Sequence, residues 1–433
     1  MYIAKKCKGV FFMVLTGALI VVLTLIAIAK RYETRMVLCV AGLLMAIIGG
    51  NPLGAMTAFE KTMVNPGLVT TICSVMGFSF VMKYTQCDAN LVQLLAGGLE
   101  KYKFILVPGA ILITWILNIA LSSTAGTCAA VGAVLIPTMI RSGIHPAMAG
   151  ACILTACISN PLNPGFPHAI FVANLAQIDT MEVISSYTIP LLIVSGIIVI
   201  AMTIQAILRK EGVDETRAAK AIHEVNTETS KINLIKATIP VIPLIILVLA
   251  IPQIAILPKI SIPQAMMIGA LLGFIVHRKN PQEITKEFFN GLGNAYGSII
   301  GIIIAAGVFT YGMESIGLTT ALIDLMKNSQ DLAKYAACIG PAVIAIISGS
   351  GDAASLAFNG SVTPHAPLFG MTITDLGSLS TLSGTLGRAM SPVAGGTIIC
   401  ATLAGVNPMD IAKRTAPGIL ISLIALLIMF SAR

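Results

Sequence analysis

The sequence predicts an all-α polytopic membrane protein made of two inverted repeats, each holding spanning helices, a re-entrant hairpin and a broken helix. Three observations carry that expectation. Of 433 residues only 11% are charged while 56% are hydrophobic, and the mean hydropathy is +0.91. The apolar residues arrive in charge-free blocks of about 18 to 22, the length a helix needs to cross roughly 30 Å of hydrocarbon. The blocks then recur in the same order, with Ser122 answered by Ser350 and Pro164 by Pro392. A soluble, secreted or disordered chain is excluded by this composition. The formal charge of +8 comes with no aromatic-rich basic patch, so it fits loops against an anionic membrane surface and not nucleic acid. Nine cysteines sit mostly inside apolar blocks without a C-x-x-C pair, which suits small buried hydrophobes.

The first repeat runs over 9–208. Its opening block, 9–29, follows Lys5, Lys6 and Lys8 and ends in Ala27-Ile28-Ala29. That arrangement also fits a cleaved signal peptide, but the length of the block and its later counterpart favour a retained spanning helix. Blocks 36–50 and 67–84 add two more spans. The arms of a hairpin over about 103–140 meet at Ser122-Ser123-Thr124-Ala125-Gly126-Thr127. A broken helix over about 146–178 is interrupted by Ser159-Asn160-Pro161-Leu162-Asn163-Pro164-Gly165, and block 183–208 closes the repeat. The stretch 209–236 carries mixed charges at helical spacing and reads as a solvated cytoplasmic connection. In the second repeat, 237–433, blocks 238–257, 263–277 and 295–312 span. A hairpin over about 335–369 turns at Ser348-Gly349-Ser350-Gly351-Asp352. A broken helix over about 374–406 is interrupted from Gly387 to Gly396, and 411–431 is the last span.

The shift that pairs Ser122 with Ser350 also pairs Ala125 with Ala353, Ile170 with Ile398, Ala173 with Ala401, Met181 with Met409 and Glu182 with Asp410. Apolar matches alone are weak in so hydrophobic a chain; the matched proline, acidic residue and Ser/Gly breaks point to duplication, a common transporter signature. Three spans, one broken helix and one last span make an odd number of crossings. Two such units in series have opposite orientations, which lets their four breaks converge near the midplane. That topology puts 18 of the 27 Lys and Arg on one side and eight on the other, with Arg388 on neither. The positive-inside rule then places the connection in the cytoplasm and both termini outside, against the pull of the Lys-rich N-terminus.

Prolines and glycines at the breaks free backbone groups that hydrocarbon cannot satisfy, so protein, an ion or a polar ligand must. Asp352 and Arg388 are, histidines apart, the ionisable residues at those breaks. Either they pair and fasten the second hairpin to the broken helix, or Arg388 holds a substrate carboxylate and Asp352 couples to a proton or Na⁺. The two roles are compatible. Ser122, Ser123, Thr124 and Thr127, with Ser350 and Ser355, are candidate donors at the hairpin tips; Asn160, Asn163, Ser391, Gly395, Gly396 and Thr397 are their counterparts at the broken helices. Helix N-termini there would suit an anion, and freed carbonyls a cation such as Na⁺ near Ser122, Asn160, Ser350 and Asp352. Small hydroxyl residues also serve close helix packing, the plainer role for any one of them. His168 and His365, each after a proline, read first as structural histidines and second as pH-sensitive groups. No P-loop, H-E-x-x-H or G-x-S-x-G is present, so no enzyme and no ATP-driven pump is expected, and no cofactor.

Four segments, LSSTAGTCAAVGAVLIPTM (121–139), SNPLNPGFPHAIFVANLAQ (159–177), ISGSGDAASLAFNGSVTPHAP (347–367) and GRAMSPVAGGTIICA (387–401), resemble the anaerobic C4-dicarboxylate carriers of the DcuC type. The resemblance covers nearly the whole chain. It implies the ion-transporter superfamily fold of tip-to-tip hairpins and broken helices, a homodimer with an elevator-like transport domain, and a bacterial inner membrane. It also implies exchange, uptake or efflux of succinate, fumarate, malate or aspartate. One departure stands out. Sodium-dicarboxylate relatives in the wider superfamily carry Ser-Asn-Thr at the tips, whereas here Ser159-Asn160 precedes Pro161 and the second-half counterpart is Gly387-Arg388. Equivalent paired Na⁺ sites are therefore not expected, and Asp352 makes H⁺ coupling the more attractive choice. The alternatives to a C4-dicarboxylate carrier are a carrier for amino acids or other organic anions, with Asp352 receiving an ammonium, and a non-transporting membrane sensor or scaffold.

Overall fold

Helix starts in this chain are written by side chains that accept from the first free backbone N–H groups, and the computed structural model uses them repeatedly. Asn51, Asn65, Asp179, Asn280 and Asn407 each cap a helix whose first turn holds Pro or an acidic residue. The structure describes residues 2–30, 32–96, 105–121, 123–214, 216–218, 233–250, 256–277, 280–321 and 330–432. Ser122 and most of the 209–236 connection lie outside the described residues, as does the expected start of the first hairpin before 105. Among the described residues there are helices and no strands. Five helices of the described residues are long and apolar enough to cross a membrane: Pro66–Tyr84, Thr124–Arg141, Thr180–Leu208, Pro281–Ser315 and Pro408–Ser431.

Some helix starts recur at a fixed distance along the chain. Helices start at Pro167 and Gly395, and at Thr180 and Pro408, both pairs 228 residues apart. Contacts exchange in the same way. Helix Thr34–Ile48 packs on Gly301–Ser315, and Ile262–His277, which starts 228 residues after Thr34, packs on Pro66–Tyr84. These crossings bring backbones together. A Cβ on Gly42 would lie 2.5 Å from the Val308 carbonyl oxygen, and one on Gly312 would lie 2.3 Å from that of Gly42. Small residues at such crossings let apolar helices associate without a hydrophobic drive between them.

The sequence reading has no counterpart for Pro52–Met63 or for the first half of the long helix from Pro281. Both carry charges, such as Glu60 and Lys61 or Glu283, Lys286 and Glu287, and so escape a search for uncharged blocks. The long helix passes through a π turn, Tyr296–Ile300, where Arg35 donates to the Gly297 carbonyl. A π turn leaves carbonyls out of line, and a guanidinium is a fitting partner for one.

The hairpins, the broken helices and the closing helices form the largest apolar core, into which Tyr187 is fully buried with its hydroxyl donating to the Pro161 carbonyl at 2.5 Å. At the edge of this body Glu211, just past the Thr180–Leu208 helix, receives Arg414 Nε at 2.8 Å and Nη2 at 2.5 Å. Both residues are 8% exposed. Burial raises the Glu211 carboxyl, and the hydrogen bonds and charge of Arg414 overcome that and hold it below its usual range. A depressed carboxyl stabilises the fold fully above its unfolded pKa of about 4.3 and loses that contribution as pH falls through the lower folded value. Glu211→Ala is expected to cost about 3 kcal/mol, since it leaves a buried guanidinium unpaired. Thermal melting of the purified protein checks this: the variant should melt lower at pH 7, and the gap should narrow in acid.

Candidate functional site

Four helix N-termini meet around one cavity of about 350 Å³. Two belong to the second arms of the hairpins. In the first hairpin Leu106–Ala120 ends at Leu121, and Ser123 caps Thr124–Arg141 by accepting from Gly126 N–H at 3.2 Å. In the second, Gln330–Ser348 ends at Gly349, whose φ of +79° turns the chain, and Ser350 caps Gly351–Ser361 by accepting from Ala353 N–H at 3.1 Å. Glycine is needed at 349 twice over, since a Cβ there would also lie 2.8 Å from the Val393 carbonyl oxygen.

The other two N-termini belong to the broken helices, and they differ. Neither Phe166, before Pro167–Ala176, nor Ala394, before Gly395–Ala404, offers a side-chain cap. Pro167 has no N–H to leave unmet, but Gly395 and Gly396 do, and both line the cavity. Unpaired amides at the positive end of a helix are an anion site in waiting.

Arg388 adds the full charge. It sits in the last turn of Ile373–Met390, where a cation suits the helix dipole, with its side chain 13% exposed. Its Nη2 donates to Thr124 Oγ1 at 2.7 Å and its Nη1 lies 3.5 Å from Asp352 Oδ1. Asp352 stands in the first turn of Gly351–Ser361, the helix end that suits an anion. The closer partner of Asp352 is His168, with Nε2 3.0 Å from the same Oδ1. The imidazole is 2% exposed and stacks on Phe166 at 4.7 Å between ring centroids; its Nδ1 has no partner among the described residues. Asp352 therefore joins the first broken helix to the second hairpin, and Arg388 joins the second broken helix to both hairpins. About half of the Asp352 side chain faces the cavity, and no contact occupies its Oδ2 among the described residues.

Of the sequence-predicted site residues, Ser123, Thr124, Asn160, Ser350, Asp352, Arg388, Gly395 and Gly396 line this cavity. Asn160 is 4% exposed and its Oδ1 has no partner among the described residues. Five others stand behind the wall, each engaged in holding it. Thr127 Oγ1 accepts from Asn118 at 2.9 Å, Asn163 donates to Ile119 O at 2.7 Å, and Ser355 donates to Ser380 O at 3.0 Å. Thr397 donates to the Ser391 carbonyl at 2.7 Å, while Ser391 Oγ accepts from Val393 N–H at 3.3 Å. Asn163, Ser391 and Thr397 meet backbone groups freed at the turns and helix ends beside them, whereas Thr127 meets the Asn118 side chain and Ser355 a carbonyl within Ile373–Met390. Ser122 lies outside the described residues. His365 is not on the cavity. Sequence reasoning gave His168 a mainly structural part, and Phe166 and Ser298 no part; no motif marks either of the latter two.

No cluster of three or more His, Cys, Asp or Glu that could hold a metal occurs among the described residues. A charge-bearing cavity built from broken helices inside an apolar helical body is the arrangement expected of a membrane transporter. The chain belongs to the C4-dicarboxylate anaerobic carrier family, DcuC, whose family profile matches residues 12–432. It is 40% identical over 273 residues to an uncharacterised transporter of Haemophilus influenzae, covering 61% of this chain and 98% of that one. It is 25% identical over 450 residues to the anaerobic C4-dicarboxylate transporter DcuC of Escherichia coli O6:H1, covering 96% of each chain. In fold it is similar to the YdaH transporter of Alcanivorax borkumensis, with a TM-score of 0.57 at 13% identity over 88% of this chain and 86% of that one.

Proposed function

We propose that the chain is a secondary carrier for C4-dicarboxylates, working by alternating access in a bacterial inner membrane. The observation that carries this is the pairing of Arg388 with the uncapped Gly395–Gly396 helix start on one cavity. One carboxylate is held by the guanidinium, which exchanges its 3.5 Å contact with Asp352 for a bidentate one. The other carboxylate draws on the Gly395 and Gly396 amides and the hydroxyls of Ser123 and Thr124. Asp352 with His168 is the coupling site, taking a proton or Na⁺ as Arg388 is drawn away; the Gly387-Arg388 departure from the sodium-type signature favours the proton. The reading extends to inverted repeats, both termini outside, and a homodimer with an elevator-like moving part. The recurrence of helix starts and the exchange of contacts between the halves support the duplication.

Protein reconstituted in liposomes is expected to exchange internal fumarate for labelled succinate, and to respond to an imposed pH gradient more than to a Na⁺ gradient. Absence of saturable flux, with ligand-dependent thermal stabilisation retained, would favour a sensor instead. A second reading rests on the unpartnered Asp352 Oδ2, which can accept from a substrate ammonium. It makes a C4 amino-dicarboxylate such as aspartate a better competitor than succinate. Asp352→Asn is expected to weaken aspartate more than succinate, by about tenfold for one lost charge-assisted hydrogen bond; equal losses count against that second reading.

A further inference from the structure

A second cavity, of about 370 Å³, lies beside the central one and shares three residues with it: Met76, Ser123 and Ala125. Six residues of the Pro66–Tyr84 helix line it, of which Met76, Ser79, Phe80 and Lys83 recur at the spacing of a single helical face while Phe78 and Met82 close in from its sides. Across from this stripe stand the small residues Gly126 and Ala129 of the first hairpin. Seven residues separate Met76 from Lys83, or about 10 Å along a helix, so the cavity runs from the hairpin tip to the end of that helix. Both charged residues on its lining, Lys83 and Asp88, are at that far end. Between the two cavities stand a thioether side chain, which repacks readily, and the two small residues at the start of the Thr124–Arg141 helix.

We propose that this second cavity is the path by which the solute reaches the central site from the Lys83 end of the protein, with Met76 and the 123–126 turn as its gate. The proposal rests on reading the central cavity as the substrate site. A passage needs small or mobile side chains along its length and polar groups at its mouth, and the lining supplies both. Lys83 is exposed there and, with Asp88 also on the lining, gives the mouth one charged group of each sign. The path lies between the helix that carries Met76 and the hairpin that carries Thr124, the partner of Arg388. A shift of the hairpin tip would thus open the gate and loosen the Arg388 contact together.

The test is thiol labelling of single replacements, Ser79→Cys and Ala129→Cys, with a membrane-impermeant anionic thiosulfonate, in sealed vesicles of both orientations. Lys83→Cys defines the side. Both replacements should react from the same side as Lys83→Cys, about tenfold faster than the buried native thiols, since reactivity follows exposure. Labelling should block flux, and saturating succinate should slow it. Thiols that stay unreactive from both sides, or that react only from the opposite side, overturn the proposal; so does full flux after complete labelling. Side and rate of labelling are read without any substrate, so failure of the dicarboxylate reading would leave that part of the test intact and show itself as loss of succinate protection alone. Two positions on separate helices guard against a single misfolded variant.

Discussion

Arg388→Ala is expected to lower the affinity for a C4-dicarboxylate by about a hundredfold. The estimate follows from two charge-assisted hydrogen bonds at about 1.5 kcal/mol each, with every 1.4 kcal/mol worth a factor of ten. Arg388→Lys should recover only part of the loss, because a point charge cannot make the planar two-bond contact. The measurement is displacement of labelled succinate from purified protein, alongside a melting curve. The melting curve matters because Arg388 also holds Thr124 at 2.7 Å and faces Asp352. A purely structural Arg388 would lower the melting point and leave the affinity of the folded fraction unchanged. Normal affinity in Arg388→Ala would remove this residue from the substrate site.

Gly384→Ala is expected to lower the melting temperature and the transport rate together. The Gly351–Ser361 helix lies against Ile373–Met390 with backbone on backbone: a Cβ at Gly351 would be 2.5 Å from the Gly384 carbonyl oxygen, and one at Gly384 would be 2.0 Å from Ser355 Oγ. Overpacking of this kind costs about 3 kcal/mol when the neighbours cannot move. Here it would also push Asp352, carried on the first turn of that helix, away from Arg388. Ser355→Ala in the same chain removes the clashing oxygen and should restore part of the melting temperature, a coupling that a double-mutant cycle reads directly. Gly387→Ala has no such remedy, because its Cβ would meet the Ala342 backbone, with the carbonyl oxygen at 2.4 Å. A Gly384→Ala protein with wild-type melting and flux would show that this contact is looser than described.

The breaks were the legible part of the site. Prolines, glycines and hydroxyls interrupting apolar helices can be read from composition alone, because hydrocarbon leaves freed backbone groups few ways to be satisfied. Asp352 and Arg388 were legible for the same reason, as charges where charge is scarce. His168 was harder. One imidazole after a proline looks like any buried histidine, and its 3.0 Å approach to Asp352 joins residues 184 apart in the chain. Likewise, nothing in Ser123 or Thr127 tells which hydroxyl faces the cavity: Thr127 is turned away toward Asn118, a matter of helical phase and neighbours.

The sequence by itself determined that this chain is a helical membrane protein, where its helices break, and which charges are held among those breaks. Apolar length, proline chemistry and the cost of buried charge are local properties, and they act at the position where the residue stands. Only the tertiary structure decided that the Gly395–Gly396 helix start is left uncapped beside Arg388, that His168 reaches Asp352, and that a second cavity leads away past Met76 toward Lys83. Those relations depend on glycine contacts that let separate helices approach at backbone distance, and no spacing along one chain encodes how close two distant helices will come.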